Sequence, residues 1–358
     1  MSNVIPPTLA AIVLHGTDVG VLKRHSFQLA ALMIVTLFAG CGDSRLYKTV
    51  EGHTVRDLEV SPDGKHLLIA VSETSENNYP APLDRWSVRL CDYATGKELK
   101  RIRFAASGVT FAPDGTVALY NRREISHWNP QRDTHLTGIS PSQLVEDVVW
   151  LPGSRRLISA GKGGMRLWDV GTRQMEAQWG EGDILRVGVS DDGRRLVAYQ
   201  GRKGRNRNSI QVWDLPTQQV IQELEGYNYN YALAHLAISA DGTTAVAGLE
   251  DGNVTVWDTE TGVKRHRFGR GGKVCDLAIS PDGRMILVAY GLRSGGPFTG
   301  RGENSLFLYG VDDGKRISRL AAFSDKRAIS KVAFTADNQS ALAVVEKEHL
   351  YRWHVSDR

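Results

Sequence analysis

Short apolar runs alternate with turn-forming segments along the chain from about residue 46 onward. Typical runs are Leu236-Ala237-Ile238, Leu277-Ala278-Ile279 and Val332-Ala333-Phe334, which place bulky residues on one face and a small residue on the other. A run of this kind predicts a strand that is buried on both faces.

A turn motif follows each apolar run. In several copies a proline fixes the backbone angle at the second turn position, and Asp and Gly tolerate the left-handed conformation that reverses a hairpin. The pattern therefore predicts seven strand-to-strand turns. They are Ser61-Pro62-Asp63-Gly64, Ala112-Pro113-Asp114-Gly115, Leu151-Pro152-Gly153-Ser154, Ser190-Asp191-Asp192-Gly193, Ser239-Ala240-Asp241-Gly242, Ser280-Pro281-Asp282-Gly283 and Thr335-Ala336-Asp337-Asn338.

A second series of motifs lies downstream of the turns, and five of its seven members have tryptophan at the centre. The members are Leu90-Cys91-Asp92, His127-Trp128-Asn129, Leu167-Trp168-Asp169, Val212-Trp213-Asp214, Val256-Trp257-Asp258, Leu308-Tyr309-Gly310 and Arg352-Trp353-His354. Two signals that recur in constant order indicate a repeated unit of about 40 to 45 residues with four short strands.

This repeat, with its Trp-Asp pair, resembles the WD40 family of β-propellers. The resemblance extends over nearly all of residues 46–355 and implies an all-β fold, a seven-bladed WD40-like propeller. It implies little about function, because the same scaffold carries unrelated activities.

The blades depart from the family pattern in their polar residues. Gly52-His53 is the only clear Gly-His pair, so the Asp-His-Ser/Thr-Trp network of WD40 blades cannot repeat around the ring. We expect degenerate blades that are held together by packing. The last repeat stops after Trp353 without a fourth strand, and residues 46–50 have the pattern of that strand. The N-terminal strand is therefore expected to close the last blade and cover its open edge.

The N-terminal 40 residues differ in kind from the rest. Lys23-Arg24-His25 precedes an apolar stretch, residues 27–39, that is shorter than the roughly 20 residues needed to cross a bilayer. The small residues before Cys41 resemble the lipobox of bacterial lipoproteins, which implies a signal peptide over residues 1–40 and lipidation of Cys41. A buried N-terminal helix with an ordinary thiol after it is the alternative interpretation. Residues 1–20 fit a signal peptide poorly and indicate a mis-annotated start.

The resemblance to lipoproteins also sets the expected domain organisation and location. Residues 41–45 would form the lipidated cysteine and a short linker, and residues 46–358 the propeller. The protein would be exported and lipid-anchored to the bacterial envelope, facing the periplasm. Gly42 stands where an aspartate would favour retention in the inner membrane, so the outer membrane is favoured.

Net charge and cysteine positions bear on two further questions: whether the chain binds nucleic acid and whether it forms a disulfide. The formal net charge of the 358-residue chain is +4, too weak and scattered for a general nucleic-acid binder, whose cations concentrate on one face. Cys91 and Cys275 fall in non-adjacent blades, so we expect two buried free thiols rather than a disulfide.

Three insertions lie between the predicted second and third strands of blades one, four and six: residues 72–85, 200–208 and 291–304. All three would reach the top face, the rim that carries these loops and the connections between blades. The insertions and the adjoining connection bring cations together with aromatic side chains, which are enriched at interfaces. Slack, solvated loops are the alternative. The predicted binding residues are Arg202, Lys203, Arg205, Arg207, Tyr227, Tyr229, Tyr231, Arg293, Phe298 and Arg301.

A second candidate site is the mouth of the central channel. Counting back from each turn gives seven equivalent positions at the start of the innermost strands: Asp57, Gly108, Asp147, Arg186, His235, Asp276 and Lys331. Three acids and a histidine could chelate a hard cation, as in quinoprotein-like or lactonase-like propellers. The alternating charges could equally neutralise one another around a water-filled channel.

No other constellation points to catalysis. The sequence lacks a His-Glu-x-x-His motif, a Gly-x-Ser-x-Gly elbow and a phosphate-binding Gly-x-x-x-x-Gly-Lys loop, and Gly161-Lys162-Gly163-Gly164 reads as a hairpin turn. We therefore predict a monomeric, membrane-anchored scaffold or protein-interaction module without catalytic residues, cofactor or metal. Its partner would be another envelope protein or an anionic envelope polymer. A propeller enzyme acting at the channel is the alternative.

Overall fold

The computed structural model describes residues 45–73, 85–201, 208–227, 233–269, 272–291, 304–323 and 327–355. The regular structure in these residues consists of 28 β-strands. None of the described residues forms a helix with the length and hydrophobicity needed to cross a bilayer.

The strands form seven antiparallel sheets of four. The first three sheets comprise β2 (His53–Val60), β3 (His66–Glu73), β4 (Trp86–Asp92) and β5 (Glu98–Ile102); β6 (Gly108–Phe111), β7 (Val117–Tyr120), β8 (Ile125–Asn129) and β9 (Thr134–Ile139); and β10 (Val145–Trp150), β11 (Arg156–Gly161), β12 (Gly164–Asp169) and β13 (Gln174–Trp179).

The next three sheets comprise β14 (Ile184–Val189), β15 (Arg195–Gln200), β16 (Ser209–Asp214) and β17 (Gln219–Leu224); β18 (Leu233–Ile238), β19 (Thr244–Leu249), β20 (Asn253–Asp258) and β21 (Lys264–Gly269); and β22 (Lys273–Ile279), β23 (Met285–Gly291), β24 (Asn304–Gly310) and β25 (Arg316–Phe323). The seventh consists of β26 (Ile329–Phe334), β27 (Ser340–Val345), β28 (His349–His354) and β1 (Arg45–Thr49).

The seven sheets are the blades of a propeller, numbered one to seven in the order given. The first strand of each blade contacts the first strand of the next, and β26 contacts β2, so the innermost strands form a closed ring. The core lies between neighbouring blades: Ile158 of blade three packs in one cluster with Leu196 and Trp213 of blade four. The prediction of an all-β, seven-bladed propeller is confirmed.

The turns between first and second strands owe their shape to local hydrogen bonds. In the first turn the Ser61 hydroxyl donates to Asp63 at 2.6 Å and accepts from the His66 N–H at 2.9 Å, while Gly64 has a φ of +69°. The same Ser/Thr-to-Asp bond recurs at Ser190, Ser239, Ser280 and Thr335. Hydrogen bonds within each turn therefore stabilise these reversals independently of contacts with other blades.

Burial of the strands differs from the prediction in one respect. The runs that precede the turns were expected to be buried on both faces, yet Ala237, Ala278 and Ala333 of the innermost strands are partly exposed. Each of these alanines nevertheless packs against a core cluster shared with the next blade. Runs of six consecutive buried residues occur instead in the second strands β3, β19 and β23 and in the third strand β24.

The Trp-Asp motifs end the third strands and have two separate roles. The aspartate caps the following turn: Asp169 accepts from the N–H of Thr172 at 2.6 Å and from its hydroxyl at 3.0 Å. The indole packs between blades, and in blade three the Nε1–H of Trp168 donates to Ser159 at 2.8 Å. The equivalent indoles Trp213 and Trp353 have a buried Nε1–H that finds no hydrogen-bond acceptor within the part of the chain that the structure describes.

Ring closure uses the N-terminal strand, as predicted. β1 pairs antiparallel with β28, with Thr49 opposite His349 and Leu46 opposite Tyr351. β1 also contacts blade one, because Tyr47 donates its hydroxyl hydrogen to the carbonyl of Tyr93 and Lys48 donates to the carbonyl of Gly96 at 2.6 Å. The closing strand thus joins the last blade to the first.

The two cysteines within the described residues are free. Cys91 is buried between blades seven and one, as expected for a structural thiol. Cys275 is only partly buried, which differs from the expectation. It lies at a bulge of β22 where the strand register shifts between Val274 and Asp276.

The unpaired indole of Trp213 gives a stability prediction. Strand register places Ala198 of blade four where Ser159 lies in blade three. Ala198→Ser should give the Trp213 Nε1–H an acceptor and raise the free energy of unfolding by about 1 kcal/mol in chemical denaturation. Ala247→Ser is the matched control, since Trp257 already donates to the Glu225 carbonyl at 2.7 Å. Equal effects of the two substitutions would contradict this account.

Candidate functional site

The top face is the rim that carries the turns between second and third strands and the connections between blades. The three insertions separate β3 from β4, β15 from β16 and β23 from β24, which places their ends at this rim. Most predicted binding residues lie outside the described residues, and their role stays a prediction. They are Arg202, Lys203, Arg205, Arg207, Tyr229, Tyr231, Arg293, Phe298 and Arg301.

Tyr227 is the one predicted binding residue that the structure describes, and it is not a surface residue. Its side chain is 4% exposed and packs edge-on against Trp257, with ring centroids 6.2 Å apart. Its hydroxyl donates to the carbonyl of Asn208 at 2.7 Å. The prediction of a binding role is wrong in this respect: Tyr227 ties the end of the blade-four insertion to the blade-five core.

The seven channel-mouth positions occupy equivalent places in the ring. In six blades the innermost strand has a register shift directly before this position, as between Val55 and Asp57 in blade one. Blade two has glycine here because the Tyr120 ring fills the space: a Cβ on Gly108 would lie 2.2 Å from its Cζ atom. Counting back from the turns therefore placed these residues in register.

Charged pairs at this level link blades. Lys331 lies 3.2 Å from Asp57, and His235 lies 2.7 Å from Asp276. The Asp57 carboxylate raises the pKa of Lys331. Burial alone would raise the pKa of Asp276, but the nearby charges of His235 and Lys331 outweigh it and lower this pKa. These shifts favour the charged forms of the Lys331 ammonium and the Asp276 carboxylate.

The three aspartates also accept backbone hydrogen bonds from the following blade. Asp57 accepts from Val109 at 3.0 Å and Asp276 from Val332 at 2.9 Å. These N–H groups belong to the channel-side edge of an innermost strand, which has no strand partner there. The carboxylates thus satisfy donors that the blade itself leaves open.

Asp147 joins three blades. It accepts from the Tyr120 hydroxyl of blade two and from the Val187 N–H of blade four, each at 3.0 Å. Burial raises the pKa of Asp147, against the opposing charge of Arg186. Among the described residues no ion pair joins Asp147 to Arg186, whose guanidinium donates to the Leu185 carbonyl at 2.6 Å.

Together these contacts form a belt that spans six of the seven blade junctions in the described residues. Each belt carboxylate is engaged by backbone, hydroxyl or cationic groups. Within the described ranges, no group of three or more His, Cys, Asp or Glu side chains could hold a metal ion. The geometry therefore fits a structural belt better than a chelating site.

Glu59 was missed by the sequence reasoning. It lies two residues beyond Asp57 on the same face of β2, and accepts from the Phe111 N–H at 3.0 Å. Burial, with a smaller contribution from Asp57, raises the pKa of Glu59 to about 8. The sequence did contain a signal for Glu59: it is the only ionisable residue at its position in the repeat. The equivalent residues of the other blades are Thr110, Val149, Gly188, Ala237, Ala278 and Ala333.

A basic depression on the top face was also missed. Its volume is about 610 Å³, and it lies where blades two and three meet. Its lining residues are Arg122, Arg123, Pro141, Ser142, Gln143, Leu144 and Lys162. Their sequence positions fall in three separate segments, and nothing but the fold brings the three cations together.

Comparisons with known proteins agree with this architecture. The family model described as "WD domain, G-beta repeat" matches residues 36–77 and 218–258. The second match runs from the outer strand β17 through β20, so it begins in one blade and ends in the next. These matches support a WD40 propeller.

Several curated proteins are similar to this WD40-like chain. "Apoptotic protease-activating factor 1" of Rattus norvegicus is 24% identical over 60% of this chain and 17% of that protein. "Protein groucho" of Drosophila melanogaster is 24% identical over 59% of this chain and 27% of that protein. "WD repeat-containing protein 26 homolog" of Arabidopsis thaliana is 23% identical over 64% and 37%, respectively. The chain thus spans well under two thirds of each of these relatives.

Glu59 gives a prediction about pH. From about pH 4.5 to 8 the folded protein holds a proton on Glu59 that the unfolded chain has lost, so the free energy of unfolding falls as the pH rises. Glu59→Gln removes this ionisation. We expect the variant to match the parent at pH 5 and to be more stable at pH 9 by on the order of 2 kcal/mol, since solvent at the partly exposed side chain screens part of the penalty.

Denaturant titrations across this pH range measure the effect. Glu223→Gln, on the exposed face of β17, is the control and should follow the pH profile of the parent. Identical profiles for Glu59→Gln and the parent would show that Glu59 is not held protonated.

Proposed function

We propose that the chain is a membrane-anchored WD40-like propeller that acts as a scaffold or protein-interaction module at the bacterial cell envelope. The observation that carries the interaction role is the closed seven-bladed scaffold with its long insertions at one rim. A propeller positions such loops rigidly, and recognition by loops on a rigid scaffold is a common arrangement. The matches to WD-repeat proteins support the same class of function.

The orientation of β1 supports a particular arrangement of anchor and binding face. β1 is the outer strand of blade seven and runs from the rim opposite the top face toward the top face. Three residues, 42–44, separate Cys41 from Arg45 at the start of β1, and the four residue-to-residue steps from Cys41 to Arg45 span at most roughly 14 Å. A lipid on Cys41 would hold the lower rim near the membrane and direct the top face away from it.

Channel chemistry adds no support for the competing enzyme hypothesis. A lactonase-like or quinoprotein-like site would need acids with free ligand positions at the channel mouth. Asp57, Asp147 and Asp276 instead bridge blades through hydrogen bonds and ion pairs. Substitution of these aspartates should therefore lower the stability of the fold.

The anchor is tested by Cys41→Ala. Without the acceptor thiol no lipid can be attached, so the variant should move from the membrane pellet to the soluble fraction while its melting temperature is unchanged. Cys275→Ala is the control and should stay in the pellet. If Cys41→Ala still pellets after a high-salt wash, the chain is not held by a lipid at this residue.

The predicted top-face loop is tested by replacing Arg202, Lys203, Arg205 and Arg207 together with Ser. Using a partner captured from native envelopes with the full lipidated chain, association should slow and its salt dependence flatten, because exposed charges act over a Debye length of about 8 Å. Tyr229→Ala or Tyr231→Ala should mainly speed dissociation, at a cost of about 1 to 3 kcal/mol if that residue is a buried anchor.

Surface plasmon resonance at several salt concentrations separates the two effects. Lys97→Ser with Arg132→Ser, on third-to-fourth-strand turns at the opposite rim, should leave both rates unchanged. Unaltered binding by all loop variants would place the contact surface elsewhere.

A further inference from the structure

The basic depression is built from three tight backbone segments at the top rim. They are the turn at residues 121–124 between β7 and β8, residues 141–144 before β10, and the hairpin at residues 161–164 between β11 and β12. Blade two supplies the first segment and blade three the last. The second segment connects these two blades, so the depression lies over their junction.

Hydrogen bonds hold the three segments in a fixed arrangement. The Val145 N–H donates to the Arg122 carbonyl at 3.0 Å, and the Lys162 N–H donates to the Leu144 carbonyl at 3.2 Å. Glycine is required at position 161, because a Cβ there would lie 1.9 Å from the Leu144 carbonyl oxygen. The hairpin can therefore press directly against residues 143–144, which fixes the backbone that carries Lys162.

The turn of blade two is equally constrained. Asn121 accepts from the N–H groups of Arg123 and Glu124 at 2.9 and 3.0 Å through its side-chain oxygen. This cap closes the turn and directs two consecutive arginines to the rim. A surface that is ordered before binding loses less conformational entropy when a ligand arrives.

Two of the three cations in the depression are unneutralised. Arg122 is paired with Glu146 at 2.5 Å. Arg123 and Lys162 are exposed, and no ion pair joins either of them to a residue in the described part of the chain. By contrast, Lys273 at the same rim is paired with Glu250, and Arg327 with Glu346. The residues that line the depression thus carry an excess of positive charge; Asp183, which pairs with Lys162 in an isolated β-bridge, forms no ion pair with it.

The depression also offers apolar and hydrogen-bonding surface. Leu144 is 37% exposed between the cations, and Ser142 and Gln143 lie beside it. None of the seven lining residues is aromatic. Single-stranded nucleic acid would lack the stacking platforms on which its bases bind. A ligand that combines carboxylates with an aliphatic side chain matches this surface.

We propose that the basic depression binds an acidic peptide segment of a partner protein, with carboxylates paired to Arg123 and Lys162 and an apolar side chain over Leu144. Its volume lies within the range of about 300 to 1,000 Å³ that ligand pockets occupy. The site deepens the proposed interaction function by giving the chemistry of the partner. It depends on neither the lipid anchor nor the insertions of blades four and six.

The test uses the purified full chain in detergent and a fluorescein-labelled heptapeptide, Gly-Glu-Leu-Asp-Glu-Leu-Gly. Fluorescence anisotropy should show at least tenfold tighter binding of this peptide than of a control peptide with Gln and Asn in place of the acids. Arg123→Glu with Lys162→Glu should weaken binding at least tenfold. Leu144→Ser should weaken it about fivefold and leave the salt dependence of binding unchanged.

Lys97→Glu with Arg132→Glu is the matched control, since it reverses two exposed cations at the opposite rim and changes the net charge equally. Its affinity should stay within twofold of the parent, and all variants should keep the melting temperature of the parent. Equal binding of the acidic and amide peptides, or equal losses in the two charge-reversal variants, would overturn the proposal. So would tighter binding of a labelled ten-residue oligothymidylate than of the acidic peptide.

The experiments distinguish failure of the peptide-binding site from failure of the proposed function. If the peptide does not bind but an envelope partner is captured and lost with the blade-four loop variant, the interaction role stands and the depression is not its site. If the peptide binds as expected but Cys41→Ala still pellets, the depression is supported and the lipid anchor is refuted.

Discussion

The free inner edges of the seven blades set the main constraint on this protein. A four-stranded blade leaves the backbone donors of its innermost strand without strand partners, and these donors face a narrow channel. The belt of Asp57, Asp147 and Asp276 meets this constraint by accepting N–H groups from the next blade. The same carboxylates form ion pairs with Lys331 and His235 or accept a hydrogen bond from Tyr120. One set of side chains therefore provides acceptors for the backbone N–H groups at the strand edges and also joins neighbouring blades.

Local sequence determined much of the architecture. The Ser-x-Asp-Gly turns and the Trp-Asp strand ends are fixed by hydrogen bonds within a few residues, so their period could be read directly and blades counted. The closing strand was also predictable, since the last repeat visibly lacked its fourth member. The partial exposure of the innermost strands was not predictable, because the residue type of an alanine such as Ala278 does not show whether it is fully or partly buried.

The contacts of the candidate-site residues could not be predicted from the sequence. Counting back from the turns placed the belt residues correctly in register, but their partners belong to other blades: Asp57 lies 274 positions from Lys331 along the chain (331 − 57). Tyr227 resembled a surface aromatic because it adjoins a run of polar residues, yet a cross-blade contact with Trp257 buries it. Arg123 and Lys162 became neighbours only through the packing of two hairpins.

The closing seam has a mechanical consequence. β1 and β28 are antiparallel and paired over several positions, from Arg45 opposite Arg352 to Thr49 opposite His349. A pull on the chain ahead of Arg45 that is resisted at the opposite rim acts along the strand axis. The backbone bonds of the seam then carry the load together, in shear, rather than opening one after another as in a zipper. A tether at this end would therefore strain the ring in its resistant direction.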